Sequence, residues 1–82
     1  MPLEQLHETL QRLRRRRGLT QAELGERVGH SARQVARWET GSAHLMSALA
    51  FARLADVLAT DAAEWDALVA ALQRLSDGQG GA

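Results

Sequence analysis

Apolar residues recur every three or four positions along most of this chain of 82 residues, and this period constrains its fold most strongly. Near the N-terminus the repeat runs through Leu3, Leu6, Leu10 and Leu13. No segment alternates apolar and polar residues with period two. A repeat of three or four residues is typical of an α-helix, whereas alternation with period two is typical of a half-buried strand. The sequence therefore predicts an all-α fold with five short helices.

Helix-start and helix-stop signals give the approximate limits of these helices. The first covers residues 3–17, the third covers residues 32–39 and the fifth covers residues 62–75. Capping boxes, in which side chains bind the free N–H groups of a helix start, are predicted from Thr20, Ser31 and Asp61. The second helix follows Thr20 and stops at Gly29, and the fourth follows Ser47. We expect one domain over residues 1–76, followed over residues 77–82 by a flexible tail or the start of a linker.

Composition excludes several classes of function. The chain has no cysteine, so disulfide scaffolds, thiolate metal sites and thiol catalysis are ruled out. Its three histidines share no metal-ligand spacing and its acidic residues are scattered, so we expect no metal, cofactor, small-molecule substrate or enzymatic activity. No apolar run is long enough to span a membrane, and the N-terminus lacks a signal-peptide pattern. A cytoplasmic location is expected.

Charge is distributed unevenly along the chain although its formal net charge is zero. Residues 1–41 carry a net charge of +3, and residues 42–82 carry −3. A domain with this asymmetry can present a basic face to an anionic partner.

The segment from Gly18 to Gly41 reads GLTQAELGERVGHSARQVARWETG and carries the most specific pattern in the chain. It resembles the Cro and phage-repressor family of helix-turn-helix proteins, often called XRE, and the resemblance extends over residues 3–75. It implies a lambda-repressor-like DNA-binding domain with the motif at about residues 20–41, in helices 2 and 3. The implied function is a dimeric, sequence-specific transcriptional regulator, such as a repressor, that binds double-stranded DNA in a bacterial or phage-type nucleoid.

Two residues inside the motif depart from the family pattern. Gly25 stands where the family has Ala, which we expect to cost only helix propensity because both residues are small. His30 stands where the family buries Val or Ile, and we expect it to loosen the core slightly. The loop over residues 42–47 contains no Lys or Arg, which favours weak DNA affinity.

The third helix of the domain is the second helix of the helix-turn-helix motif. In such motifs the second helix lies in the major groove and contacts base edges, so we expect the third helix to enter the major groove. With Val35 and Trp38 directed into the core, its outward positions are predicted to contact bases. Arg33 can donate two hydrogen bonds to a guanine, and Arg37 lies one turn further on. The full set of predicted base contacts is Ala32, Arg33, Ala36 and Arg37.

Several polar residues around the motif are predicted to contact DNA phosphates. Gln21 begins the second helix, where free backbone N–H groups favour anions, and it could also brace the third helix. Gln34 has a competing role in its capping box. The predicted phosphate contacts are Gln21, Gln34, Arg17, Ser42 and His44. The family resemblance further implies a structural salt bridge between Arg14 and Glu39.

The fifth helix carries more apolar residues than one face of a small core needs. Part of this set is predicted to form a dimer or partner patch, consisting of Trp65, Leu68, Val69 and Leu72. The alternative is that the whole face packs on the first helix. A second functional hypothesis follows from this patch, namely a protein-interaction or antitoxin-like module with little DNA affinity.

Overall fold

A computed structural model describes residues 4–43 and 46–80, with side chains through Leu75. It contains five α-helices in these residues: α1 (Leu6–Arg16), α2 (Gln21–Val28), α3 (Ala32–Arg37), α4 (Ala48–Leu58) and α5 (Ala62–Gly80). A kinked helical turn, Trp38–Ser42, follows α3. There is no strand in the described part of the chain, and the predicted all-α fold is confirmed.

The capping motifs form to different extents. At α2 the box is complete: Thr20 Oγ1 accepts from the Glu23 N–H at 3.0 Å, and the Glu23 carboxylate accepts from the Thr20 N–H at 2.9 Å. At α3 only the forward bond forms between the described residues, from the Gln34 N–H to Ser31 Oγ at 3.1 Å. Each bond satisfies an N–H that has no partner inside the helix.

The start of α5 departs from the predicted capping box. Asp61 Oδ1 accepts from the Glu64 N–H at 2.8 Å, as a cap should. The Glu64 carboxylate, however, reaches past Asp61 and accepts from the Thr60 N–H at 2.8 Å. The reciprocal half of the box is therefore shifted by one residue, and Glu64 lies buried at the junction with α1.

One core forms where α1 packs against the turn after α3 and against α4 and α5, while α2 packs on α3 and α4. Burial of a large aliphatic side chain stabilises the folded chain by about 1.5–3 kcal/mol, so the buried apolar side chains of this core dominate the stability of the domain. The largest buried apolar side chains are Leu6, Leu10, Leu13, Leu24, Val28, Val35, Trp38, Leu54, Leu58 and Leu68.

Several limits of the predicted helices differ from the structure. The third helix ends at Arg37 and not at Glu39, because the kinked turn begins at Trp38, and the first ends at Arg16, one residue early. The first helix begins at Leu6, and Leu3 lies outside the described residues. The fifth helix continues to Gly80, past its predicted end at Leu75 and through much of the predicted tail. A helix that is already nucleated gains one hydrogen bond for each added residue, so polar residues and glycines alone need not stop it. Residues 81–82 lie outside the described residues, and the division into domain and tail stays a prediction.

Candidate nucleic-acid interface

The turn between α2 and α3 is short and tightly packed. Gly29 ends α2 in the left-handed region, with φ of 79°, which a residue with a side chain rarely adopts. The His30 N–H then donates to the Gly25 carbonyl at 2.8 Å. Ser31 follows at once as the N-cap of α3. These contacts fix the direction in which α3 leaves the turn.

Gly25 has a more demanding role than the sequence predicts. It is buried, and a Cβ at this position would lie 2.4 Å from the His30 carbonyl oxygen and 3.2 Å from the Ser31 carbonyl carbon. Even the methyl group of Ala would overlap backbone atoms of the turn. The expectation that Gly in place of Ala costs only helix propensity is therefore wrong, because α2 and the turn approach too closely for a Cβ.

The face of α3 opposite the core is basic and otherwise nearly smooth. Val35 is buried, whereas Arg33 and Arg37 are exposed. The two arginines are four residues apart and share one face of the helix. Ala32 and Ala36 are partly exposed beside them and add little bulk. This face can approach a flat or grooved surface closely while two guanidinium groups extend from it.

The C-terminal end of α3 is fixed by the turn that follows it. Thr40 Oγ1 donates to the Ala36 carbonyl at 2.9 Å, and Gly41 takes a φ of 116°, outside helical geometry. Glu39, in the same turn, is buried and paired with Arg14 of α1. The C-terminal end of α3, the candidate recognition helix, is thus anchored to α1.

The Arg14–Glu39 pair is bidentate. Arg14 Nε donates to Glu39 Oε2 at 2.7 Å, and Arg14 Nη2 donates to Glu39 Oε1 at 3.0 Å. Arg14 Nη1 also donates to the Leu19 carbonyl at 2.7 Å, ahead of α2. Hydrogen bonding to Glu39 raises the pKa of Arg14, whose cation is retained under all ordinary conditions. The pairing offsets a negative charge that would otherwise repel an anionic ligand of α3.

Gln21 extends this network to the start of α2. Its side-chain nitrogen donates to Glu39 Oε1 at 3.2 Å, and the side chain is partly buried. The first residue of α2 is therefore tied to the turn after α3. The bracing role that the sequence suggests for Gln21 is present in the structure, and a phosphate contact by Gln21 stays a prediction.

His30 lies at the edge of the core and does not enter it. Its ring meets that of Trp38 edge to face, with centroids 4.9 Å apart and an interplanar angle of 69°. Such aromatic pairs contribute about 0.5–1.5 kcal/mol beyond buried area. His30 itself is exposed while Trp38 is buried, so the imidazole covers part of the indole.

The four predicted phosphate contacts other than Gln21 divide into three groups. Arg17 makes hydrogen bonds within the fold, because its Nη2 donates to Glu64 Oε2 at 2.8 Å and its Nη1 donates to Thr60 Oγ1 at 2.5 Å, and its DNA contact stays a prediction. Gln34 and Ser42 are partly exposed on α3 and the following turn, and their DNA contacts stay predictions. His44 lies outside the described residues.

A second buried ionic junction is not predicted by the sequence. Glu64 accepts from Thr60 and Arg17, and Arg16 Nε lies 3.5 Å from Glu64 Oε2. The Thr60 hydrogen bonds and the nearby arginines lower the pKa of Glu64. Arg17 and Glu64 are 47 positions apart, and no local motif relates residues at that distance. The junction joins the C-terminal end of α1 to the start of α5.

The predicted patch on α5 is smaller than expected. Leu68 is fully buried, with 0% of its surface exposed, so assigning it to a partner patch is wrong; it completes the core between α1 and α5. Val69 and Leu72 are half-buried, and Leu72 packs against the core. Trp65 remains 47% exposed. One large aromatic side chain and the rims of two aliphatic ones form the remaining surface.

Two further properties of the described residues concern metal clusters and membrane-spanning helices. No group of three or more acidic or histidine side chains there is placed to hold a metal ion. In the same part of the chain, none of the helices combines the length and the apolar character that crossing a membrane requires.

Comparison with known proteins identifies the motif. A family model described as a helix-turn-helix domain matches residues 5–68, which cover α1 to α4 and the start of α5. No curated protein and no solved structure matches the chain. The match includes the tight turn, the candidate reading helix and both buried ionic junctions.

Proposed function

The chain belongs to the helix-turn-helix domain family, and from this premise we propose that it is a sequence-specific DNA-binding transcriptional regulator of the XRE type. It reads the major groove of double-stranded DNA with α3 and carries out no chemical reaction. The observation that carries this proposal is the pair of exposed arginines, Arg33 and Arg37, on the face of α3 that points away from the core.

The chemistry of this face suits base readout. A guanidinium donates two parallel hydrogen bonds to O6 and N7 of guanine, a contact worth about 1–3 kcal/mol of discrimination against other bases. Arg33 lies in the first turn of α3, which is the part of a reading helix that comes nearest to base edges. Ala32 and Ala36 permit close approach, and their methyl groups suit contact with thymine methyls.

The rigidity of the support favours specificity over loose electrostatic binding. α3 is capped by Ser31 at one end and anchored through Glu39 to Arg14 at the other. A helix held at both ends loses little conformational freedom when it binds, so more of the contact energy appears as affinity. Gln21, held against Glu39, presents the N-terminus of α2 toward a phosphate of the same groove.

The regulator acts as a dimer on an inverted repeat in our proposal. Two reading helices then lie about 34 Å apart, one turn of DNA. The exposed indole of Trp65 on α5, with Val69 and Leu72 beside it, supports an association surface. The resulting assembly would function in the cytoplasm of a bacterial cell, on the nucleoid.

The exposed Trp65 also favours a second candidate function. The same surface could bind a different protein, which would make the chain an interaction or antitoxin-like module with weak DNA affinity. Light scattering separates the two functions in part, because a dimer of this chain has twice the mass of a monomer. Binding to DNA separates them further.

Selection from a pool of random duplex DNA tests the proposed function. We expect the wild-type chain to enrich an inverted repeat, and the Arg33→Ala/Arg37→Ala variant to lose that enrichment. The matched control is Arg15→Ala/Arg27→Ala, which removes two exposed arginines outside α3 and should enrich the same site. Equal enrichment by both variants, or no enriched sequence with the wild type, would contradict sequence reading by α3.

A further inference from the structure

The backbone of the helix-turn-helix turn lies unusually close to the middle of α2. The Gly25 position faces three backbone atoms of His30 and Ser31, and a Cβ there would lie 2.4 Å from the nearest of them. Ordinary van der Waals contact begins at 3.4 Å. Replacing Gly25 by Ala therefore requires the turn to move by about 1 Å. The obstacle is backbone, so no flexible side chain can rotate away to make room.

The residues of the turn that approach Gly25 lie directly before the start of α3, the proposed recognition helix. His30 donates its N–H to the Gly25 carbonyl at 2.8 Å, so its backbone is held against Gly25 by both a hydrogen bond and direct contact. Ser31, the next residue, caps α3. Arg33 lies only two residues further on. A displacement of the turn is thus passed directly to the residues that face the groove.

We propose that Gly25 is a positioning residue that sets the placement of α3 relative to α2, and that an alanine here moves the reading helix off its register on DNA. The effect on DNA rests on the proposed function, whereas the placement of α3 does not. A bidentate arginine contact requires donor–acceptor distances near 2.7–3.2 Å, so a shift of about 1 Å is enough to break it.

The proposal opposes the expectation from helix propensity. Alanine is the better helix former, so a glycine-to-alanine change inside a helix ordinarily stabilises it. At Gly25 we expect the opposite sign. His30, the second departure from the family pattern, lies in the turn that approaches Gly25, and this turn leaves room for glycine at position 25 but not for alanine.

Two measurements test the placement of α3 without DNA. In the wild-type chain, nuclear Overhauser effects should connect the Gly25 Hα protons to backbone protons of Ser31. In Gly25→Ala, the amide resonances of residues 29–33 should shift and the unfolding midpoint should fall. The matched control is Gly18→Ala, at a glycine with φ of 70° where an added Cβ would meet no other atom within 4 Å. It strains the backbone but leaves the α3 resonances in place.

A third measurement tests the consequence at DNA. At a temperature where both variants are folded, Gly25→Ala should bind the selected site about tenfold or more weakly and lose less affinity for random duplex, whereas Gly18→Ala should match the wild type. Wild-type α3 resonances and affinity in Gly25→Ala would overturn the proposal. So would absence of the Gly25–Ser31 effects in the wild type, even if the variant does not fold. Failure of the wild type to discriminate between DNA sequences counts against the proposed function alone.

Discussion

Arg14 and Glu39 form a buried, bidentate ion pair that joins α1 to the turn after α3, with donor–acceptor distances of 2.7 and 3.0 Å. Only 10% of the Arg14 side chain and 1% of the Glu39 side chain are exposed. Removing one member leaves the other charge buried without its counterion. The pair is therefore expected to govern both the stability of the domain and the placement of α3.

Replacing Glu39 by Leu should lower the free energy of unfolding by about 3–5 kcal/mol, because the Arg14 guanidinium stays buried without its partner. Urea denaturation followed by circular dichroism measures the change. The double variant Arg14→Met/Glu39→Leu removes both charges and should recover most of the loss. A single variant as stable as the wild type would show that the pair does not support the fold.

Glu64 should make the domain sensitive to acid. Its hydrogen bonds from Thr60, with a further contribution from Arg17, lower the pKa of its carboxyl below the ordinary value of 4.5. A carboxyl with a lowered folded-state pKa stabilises the fold above its unfolded-state pKa, and this stabilisation is lost as the pH falls through the folded-state value. Glu64→Gln should therefore unfold more easily than the wild type at pH 7, and the difference should narrow below about pH 4.

Unfolding midpoints across a pH series check this expectation, with Glu26→Gln as the control at an exposed glutamate of α2. The control should follow the wild type at every pH. A difference between Glu64→Gln and the wild type that does not change with pH would mean that the carboxylate charge is not what stabilises the junction.

Truncation of Leu68 should lower the stability of the domain much more than truncation of Trp65, although the two residues are neighbours on α5. Leu68→Ala opens a cavity in the core and should cost about 2–5 kcal/mol of stability. Trp65→Ser changes an exposed side chain and should alter the stability of the monomer by about 0.5 kcal/mol or less. Thermal unfolding at low protein concentration distinguishes them. Equal losses in the two variants would contradict the assignment of Leu68 to the core.

Trp65→Ser also tests the proposed dimer. If α5 supplies the association surface, light scattering should show a wild-type dimer and a variant monomer at the same concentration. A dimer of unchanged mass in the variant would place the contact on another surface.

Gln21→Ala should weaken DNA binding without changing sequence preference, because a phosphate contact carries no base information. Gln21 is uncharged, so the dependence of the dissociation constant on salt should keep its slope. Fluorescence anisotropy at several salt concentrations measures both quantities. Gln73→Ala, at an exposed glutamine of α5, is the matched control and should bind as the wild type does. A change of preferred sequence in Gln21→Ala would instead show that Gln21 affects base recognition, by direct contact or by bracing α3 through Glu39.

The sequence predicts most of the fold because its local signals agree with one another. Each of these signals depends on residues only a few positions apart, as in the apolar repeat, the cap at Thr20 and the helix end at Gly29. The pairing of Arg14 with Glu39 is accessible only through the family resemblance, because no local rule relates residues 25 positions apart.

The remainder depends on packing that no single segment encodes. Leu68 and Trp65 are both apolar residues of one amphipathic helix, and only the position of α1 decides which of them is buried. Arg17 belongs to a run of four arginines, and its hydrogen bonds to Thr60 and Glu64, which a distant segment supplies, set it apart. Arg16 reaches Glu64 only at 3.5 Å. The close approach at Gly25 likewise arises from how α2 meets the turn and is invisible in composition or period.

Base reading by Arg33 is the central claim, and a competition titration tests it most directly. The selected site and its single-base variants compete for the wild type, for Arg33→Ala and for Arg27→Ala, which removes an equal charge from an exposed position of α2. We expect Arg33→Ala to lose discrimination at one base pair of each half-site, by about 1–3 kcal/mol, and Arg27→Ala to keep it. Unchanged discrimination at every position in Arg33→Ala would contradict the claim that α3 reads DNA through this arginine.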